Sequence, residues 1–286
     1  MDPRRLGAKC DVCSLSSVGK PVFPQPALHR PLGVICGQSP SRWEEVTGKP
    51  FQGDSGDHLE KHLARLGYSK SQFHVTNALL CKLPKGWKSN DPKTQQAIAC
   101  CYPRLERELV KLPTRKMIAM GAEGYMATTG RREQLADWVG AIMPGRERLA
   151  DFTIVISLHP AFVLRNMGYW PAIEAFVERF ILLVENKLKP WKWPRIEIEY
   201  GPKMMTSLEY LLRQSEVGVD TEGGGLNPFR APLLCIGLAD EKRAVSVDYH
   251  LMQQHRELNE IVREILATKG LIYQNGAYDI PILSRK

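Results

Sequence analysis

The sequence predicts an α/β protein whose first part is a parallel sheet with helices on both faces. Three observations carry that prediction. Short apolar runs recur at 32–36, 73–80, 116–120 and 152–158, each the length of a strand. Segments with apolar residues at helical spacing lie between them, and strands alternating with helices build parallel βαβ units. The runs end in small or polar residues, and open α/β sheets bind ligands at the carboxyl ends of their strands.

In chain order, residues 1–30 are rich in Pro, Gly and Ser without periodicity and read as an irregular arm pinned by Cys10 and Cys13. The strand at 32–36 stops at Gly37-Gln38-Ser39-Pro40. A turn, Gly48-Lys49-Pro50-Phe51, carries an aromatic ring, and a helix follows at 55–68. The strand at 73–80 ends at Cys81, and a polar loop, 82–93, leads to a helix at 94–110 carrying Cys100 and Cys101. The strand at 116–120 ends at Gly121 and is followed by a short helix. The strand at 152–158 ends at His159-Pro160, and a helix at 172–187 closes the unit. Gln38, Asn77 and His159 should therefore converge along one sheet edge.

Past Lys187 the composition turns to Lys, Pro and Trp, which reads as a linker at 189–206 between a first domain, 1–188, and a second α/β unit, 207–286. In the second unit a strand at 216–222 carries Asp220 and Glu222. Strands at 232–238 and 243–249 extend it as a meander, a helix at 255–269 has Gly270 as its expected cap, and a strand at 271–274 ends at Asn275-Gly276.

The net charge of +8 favours an anionic partner such as nucleic acid, though a solvated basic surface explains half of such cases. No apolar run is long enough for a membrane span, and no apolar core follows Arg4 and Arg5 as a secretory signal would require. The expectation is a cytoplasmic, monomeric protein. Seven cysteines include a CxxC at Cys10 and Cys13, which in a reducing compartment points to metal or redox chemistry. Cys36 and Cys235 lie in apolar strands and read as buried hydrophobes.

Several stretches, in order, resemble the motif set of the family-4, iron–sulfur uracil-DNA glycosylases: CDVC at the start, GQSP…EE…GKPFQGDSG, TNALLC, CCYPRLEREL and SLHPAFVLR. The resemblance covers residues 10–165. It implies an α/β/α glycosylase-like fold and hydrolysis of the N-glycosidic bond of deoxyuridine in DNA, after the base is flipped from the stack. Phe51 would stack on the base, Asn77 would pair with it, and His159 would donate to its oxygen as negative charge builds there. Gly37, Gln38 and Ser39 would line the pocket, while Leu164 and Arg165 would wedge the duplex or hold a phosphate. Cys10, Cys13, Cys81 and Cys101 match the four thiolate ligands of a [4Fe–4S] cluster, with zinc as the alternative for four thiolates.

Two departures stand out. The family's acid in the first loop is Gln38 here, so either Glu44, Glu45 or Asp54 substitutes for it or the rate is low; a gain in activity on Gln38→Glu would show that the missing acid is limiting. The stretch between the third and fourth cysteines is also longer. Without the acid, the domain could instead recognise uracil without cutting, or bind DNA with no preference for uracil.

In the second unit, VGVDTE and NGAYD resemble the first two motifs of DEDD-type 3′–5′ proofreading exonucleases of family A DNA polymerases. That implies a partial ribonuclease H-like fold, with Asp220, Glu222 and Asp279 as part of a carboxylate site. The third motif is missing, so a divalent metal such as Mg2+ is expected only if the exonuclease half is completed elsewhere. The combination suggests the front of a phage-like replicative DNA polymerase, phage-encoded or bacterial, with the rest of that polymerase as a partner.

Overall fold

The computed structural model describes residues 2–189, 194–274 and 276–285. The chain divides into two units, Met1–Lys189 and Pro190–Lys286.

In the first unit the elements run β1 (Val34–Gly37), α1 (Arg42–Thr47), α2 (Asp54–Arg65), β2 (His74–Asn77), α3 (Pro92–Leu109), β3 (Lys116–Met120), α4 (Ala122–Thr129), β4 (Ile142–Pro144), β5 (Thr153–Ser157), α5 (Pro160–Val163) and α6 (Trp170–Val184). The sheet order is β2-β1-β3-β5-β4. All pairs are parallel except β4 against β5. The predicted parallel sheet is present, with an antiparallel edge strand the sequence did not announce. β4 has only three residues and ends in Pro144, which cannot donate to a ladder and so suits an edge.

Side-chain alternation explains the layers. Val34 and Cys36 of β1 point to one face with Met117, Ala119, Ile154 and Ile156, where α3 and α4 supply Ala97, Leu105, Leu109 and Tyr125. Ile35, Val75, Ile118, Met120 and Val155 point to the other, under Leu59 and Leu63 of α2 and Val177 and Phe180 of α6. Both faces of the strands are covered, which is why the strands read as continuous apolar runs. Backbone bonds hold the N-terminal arm to the sheet: Val22 N–H donates to Leu80 O at 2.8 Å, and Gln25 and Val75 exchange bonds of 2.8 and 2.9 Å.

In the second unit the elements are β6 (Arg195–Glu197), α7 (Pro202–Leu212), β7 (Glu216–Gly223), β8 (Leu233–Ala239), β9 (Arg243–Asp248), α8 (Tyr249–Gln254), α9 (Arg256–Thr268), β10 (Gly270–Tyr273) and α10 (Gly276–Leu283). Their sheet order is β10-β7-β8-β9-β6, with β7, β8 and β9 antiparallel and β10 parallel to β7. The expected linker at 189–206 is in part structured: β6 pairs with β9, and α7 starts at Pro202. Residues 190–193 of that linker, and Asn275, lie outside the described residues. Gly270 does not cap α9. Lys269 is already extended, and Gly270 N–H donates to Ser215 O at 2.9 Å, so the glycine opens β10. Among the described residues no helix is long and apolar enough to cross a membrane.

Candidate active site

Strand register sets the site. Gly37 lies opposite Asn77, Cys36 opposite Ala119, and Met120 opposite Ser157. The carboxyl ends of four parallel strands are thus level, and Gln38, Asn77, Gly121 and His159 leave the sheet along one edge.

Asn77 is 3% exposed, and its Nδ2 has no hydrogen-bond partner among the described residues. A buried amide donor left unpaired costs about 1–3 kcal/mol, so its persistence points to a ligand. Its backbone is held from behind by Arg104, which the sequence reading passed over. The buried guanidinium donates to Asn77 O at 2.8 Å, Ala78 O at 2.9 Å and Thr76 Oγ1 at 3.2 Å, and pairs with Glu108 at 2.9 Å. Burial pushes the Glu108 carboxyl up, but Arg104 and His74 outweigh it and hold the group below its ordinary range. The readable signal was the Arg–Glu spacing of four on one face of α3.

Phe51 adopts φ 52°, a left-handed backbone that costs an aromatic residue about 1 kcal/mol or more. Lys70 Nζ supports it by donating to Phe51 O at 2.9 Å and Gly56 O at 3.0 Å. The ring is buried, deeper than an open stacking platform would be. A side chain at Gly37 would collide with both the Phe51 ring and Asn77 Oδ1, so glycine there lets ring and amide meet.

The His159 ring lies 5.7 Å from that of Phe51, tilted by 30°. Burial, and then the nearby Arg165, lower its pKa from 6.5 to about 4, so the imidazole is neutral at pH 7. Ala161 N–H donates to Nδ1 at 3.1 Å, which leaves the proton on Nε2 as the available donor. Pro160 starts α5 directly after, so His159 is its cap rather than a loop residue. Leu164 ends that helix and is half-buried, and Arg165 is exposed. Phe162, Met167 and Tyr169 expose apolar surface beside them.

Gln38 does not face any of the three expected substitutes for the missing acid. Glu44 is spent on a capping box, its carboxylate accepting from Ser41 N–H at 2.5 Å. Glu45 lies against Gly19, and Asp54 is exposed in the first turn of α2. The acid in contact with Gln38 is instead Glu123, in the first turn of α4 and 3% exposed. Gln38 Nε2 donates to Glu123 Oε2 at 2.5 Å, and Ser89 Oγ donates to Oε1 at 2.7 Å. Nothing in the sequence marked Glu123, a single acid two residues beyond the strand-ending Gly121. Gln38 lies so close over Gly121 that a side chain there would collide with it. Ser39 is half-buried beside Gln38.

The thiols of Cys10, Cys13, Cys81 and Cys101 gather between the N-terminal arm, the end of β2 and α3. Burial, then Cys101, Cys13 and Cys10, push the Cys81 thiol up to about 12. Burial, then Cys101 and Cys13, raise Cys10. Leu15 N–H donates to Cys13 Sγ at 3.5 Å. Cys100 also lies near this group, donating to Val12 O at 3.9 Å, and burial, then Cys13, raise its thiol to about 11. Among the described residues, no three His, Cys, Asp or Glu are arranged to hold a metal ion. Four thiolates as donors suit an iron–sulfur cluster or a zinc ion alike. Cys36 is buried as expected, whereas Cys235 on β8 is half-exposed.

In the second unit Asp220 and Glu222 share the exposed face of β7. Asp279 does not join them. It is buried, and its Oδ1 accepts from Thr221 N–H at 2.9 Å and Thr221 Oγ1 at 2.7 Å. α10 takes over the edge of β7 where β10 ends at Tyr273, so the carboxylate satisfies a strand-edge donor. The expected metal-binding trio is therefore not assembled among the described residues.

A family model described as the uracil DNA glycosylase superfamily matches residues 28–181. A protein named type-4 uracil-DNA glycosylase, from Pyrobaculum aerophilum, is 34% identical over 162 residues, covering 55% of this chain and 80% of that protein. Its namesake from Saccharolobus solfataricus is 28% identical over 186 residues, covering 63% and 82%. One from Archaeoglobus fulgidus is 28% identical over 112 residues, covering 39% and 54%.

Proposed function

Because this chain belongs to the uracil DNA glycosylase superfamily, we propose that it releases uracil from DNA by hydrolysing the N-glycosidic bond. The observation that carries this reading is the orphaned, buried Nδ2 of Asn77, in line with Gly37, the Phe51 ring and a neutral His159. An amide presents a donor and an acceptor side by side, which matches a carbonyl and the adjacent N–H of uracil. Gly37 and Ser39 line the same strand-end loop, and Phe51 walls the base. As the C1′–N1 bond breaks, its electron pair moves onto uracil, and Nε2–H of His159 donates to the uracil oxygen that gains charge. A neutral imidazole suits that task, because it gives a hydrogen bond without giving up its proton. Leu164, half-buried at the end of α5, and Arg165, exposed beside it, would enter or clamp the duplex.

The thiols of Cys10, Cys13, Cys81 and Cys101 would hold a [4Fe–4S] cluster, with zinc as the alternative that metal analysis separates. When bound, such a group ties the N-terminal arm to β2 and α3. The ligand assignment rests on the resemblance's four-cysteine pattern; of the four thiols, Cys10 and Cys81 are raised by burial and then by their cysteine neighbours.

The test is incubation with a uracil-containing oligonucleotide followed by alkali. Strand scission is expected, and Asn77→Ala should cut the rate at least 100-fold, since its side chain carries the recognition while Arg104 keeps hold of the backbone. No scission by the unaltered protein overturns the reading. Gln38, an amide in place of the family's acid, favours one rival: a module that binds uracil without excision, which would show tight uracil-dependent binding and no product.

We also read the second unit as a ribonuclease H-like fold related to proofreading exonucleases. The antiparallel β7-β8-β9 with β10 parallel to β7 after helix α9 supports it, as do Asp220 and Glu222 on one strand face. This reading makes a DNA polymerase a natural partner. No metal-dependent step is assigned to the unit, given where Asp279 lies.

A further inference from the structure

The pocket contains a carboxylate that none of the resembling motifs includes. Glu123 is 3% exposed, yet both of its oxygens are occupied by side chains from other segments: Gln38 from the loop after β1, and Ser89 from the loop before α3. The latter loop is the one longer than the resemblance predicts, and Gln95 Nε2 fastens it by donating to Ser89 O at 2.6 Å. An ionised carboxylate only accepts hydrogen bonds, so the N–H end of the Gln38 amide is fixed on Glu123 and its Oε1 is turned away from it.

We propose that Glu123 is the positioning residue that replaces the absent loop acid, acting through Gln38 on the water that attacks C1′. This inference rests on the glycosylase reading. Gln38 Oε1 accepts from the water and orients it, and the charge of Glu123 behind the amide strengthens that acceptor and opposes the positive charge growing on the sugar. The water oxygen bonds to C1′ as the C1′–N1 bond breaks with its electron pair on uracil. The proton released by the water ends on the departing uracil, so neither Gln38 nor Glu123 changes protonation over the cycle. Glu123 thus supplies charge and orientation and takes no proton.

Gln38→Glu alone should lower activity rather than raise it, because it sets two carboxylates in contact. Glu123→Gln keeps the shape and both hydrogen bonds but removes the charge; kcat should fall about 100-fold with KM within about threefold and thermal unfolding unchanged. The exchange variant, Gln38→Glu with Glu123→Gln, returns one acid to the pair and should recover at least tenfold over Glu123→Gln. Single-turnover uracil release from the full chain reads all four proteins. Wild-type kcat in Glu123→Gln, or an exchange variant no better than Glu123→Gln while both remain folded, overturns this inference and leaves the glycosylase reading standing. A wild-type protein that releases no uracil overturns both.

Discussion

At His159 a backbone contact and burial together decide chemistry. The Ala161 N–H on Nδ1 needs a lone pair there, and burial followed by Arg165 disfavours the imidazolium. The folded pKa of about 4 lies below the unfolded value near 6.5. Between those values the unfolded chain binds more protons, so this residue makes stability fall as pH drops from about 6.5 to 4. His159→Gln should remove that component. Thermal midpoints of wild type and variant should converge as pH is lowered through this window; parallel curves would show that the imidazole is not held neutral by the fold. His159 and Asn77 were both legible in the sequence, because strand ends in a parallel sheet advertise themselves as polar residues after apolar runs. Glu123 was not, because one acid in a short helix carries no pattern, and only its contacts give it meaning.

At the scale of elements, α3 does more than cover the sheet. Its buried Arg104 binds the carbonyls at the end of β2 and so fixes where Asn77 leaves the strand, while Cys101, three residues before it, faces the thiol group. Arg104→Met would leave Glu108 mostly buried without its guanidinium, with His74 and Thr76 still beside it. Breaking a buried pair in this way costs about 3–5 kcal/mol. A denaturant titration should show that loss, and Arg104→Met with Glu108→Leu should recover part of it. An unchanged midpoint in the single variant would mean that the pair is not a structural anchor. α3 itself was readable from its period, and the CxPxL pattern located Cys101. The direction of the guanidinium was not, since an arginine four residues before a glutamate is more often a solvated surface pair.

At the scale of the molecule, every proposed glycosylase residue lies in the first unit, and each unit closes its own apolar core. A domain with its own core folds on its own. A chain of residues 1–189 should therefore release uracil with the full chain's kcat within about twofold. A large loss in a folded fragment, judged by circular dichroism, would show that the second unit takes part in the chemistry.

The sequence by itself determined the α/β class, the four parallel strands, and the strand ends at which Gln38, Asn77 and His159 lie. These follow from local signals: apolar runs buried on both faces, helical periods, and polar residues at strand ends. The tertiary structure decided what no local signal encodes. It added the edge strand β4, placed β6 in the expected linker, and put Gly270 into β10. It bound Asp279 to Thr221 away from Asp220 and Glu222, and it brought Glu123 against Gln38 across 85 residues of sequence. The physical reason is common to all of these. A carboxylate, a glycine or a three-residue strand has too weak an intrinsic preference to fix its own partner, so the partner is chosen by what the packed sheet leaves unsatisfied beside it.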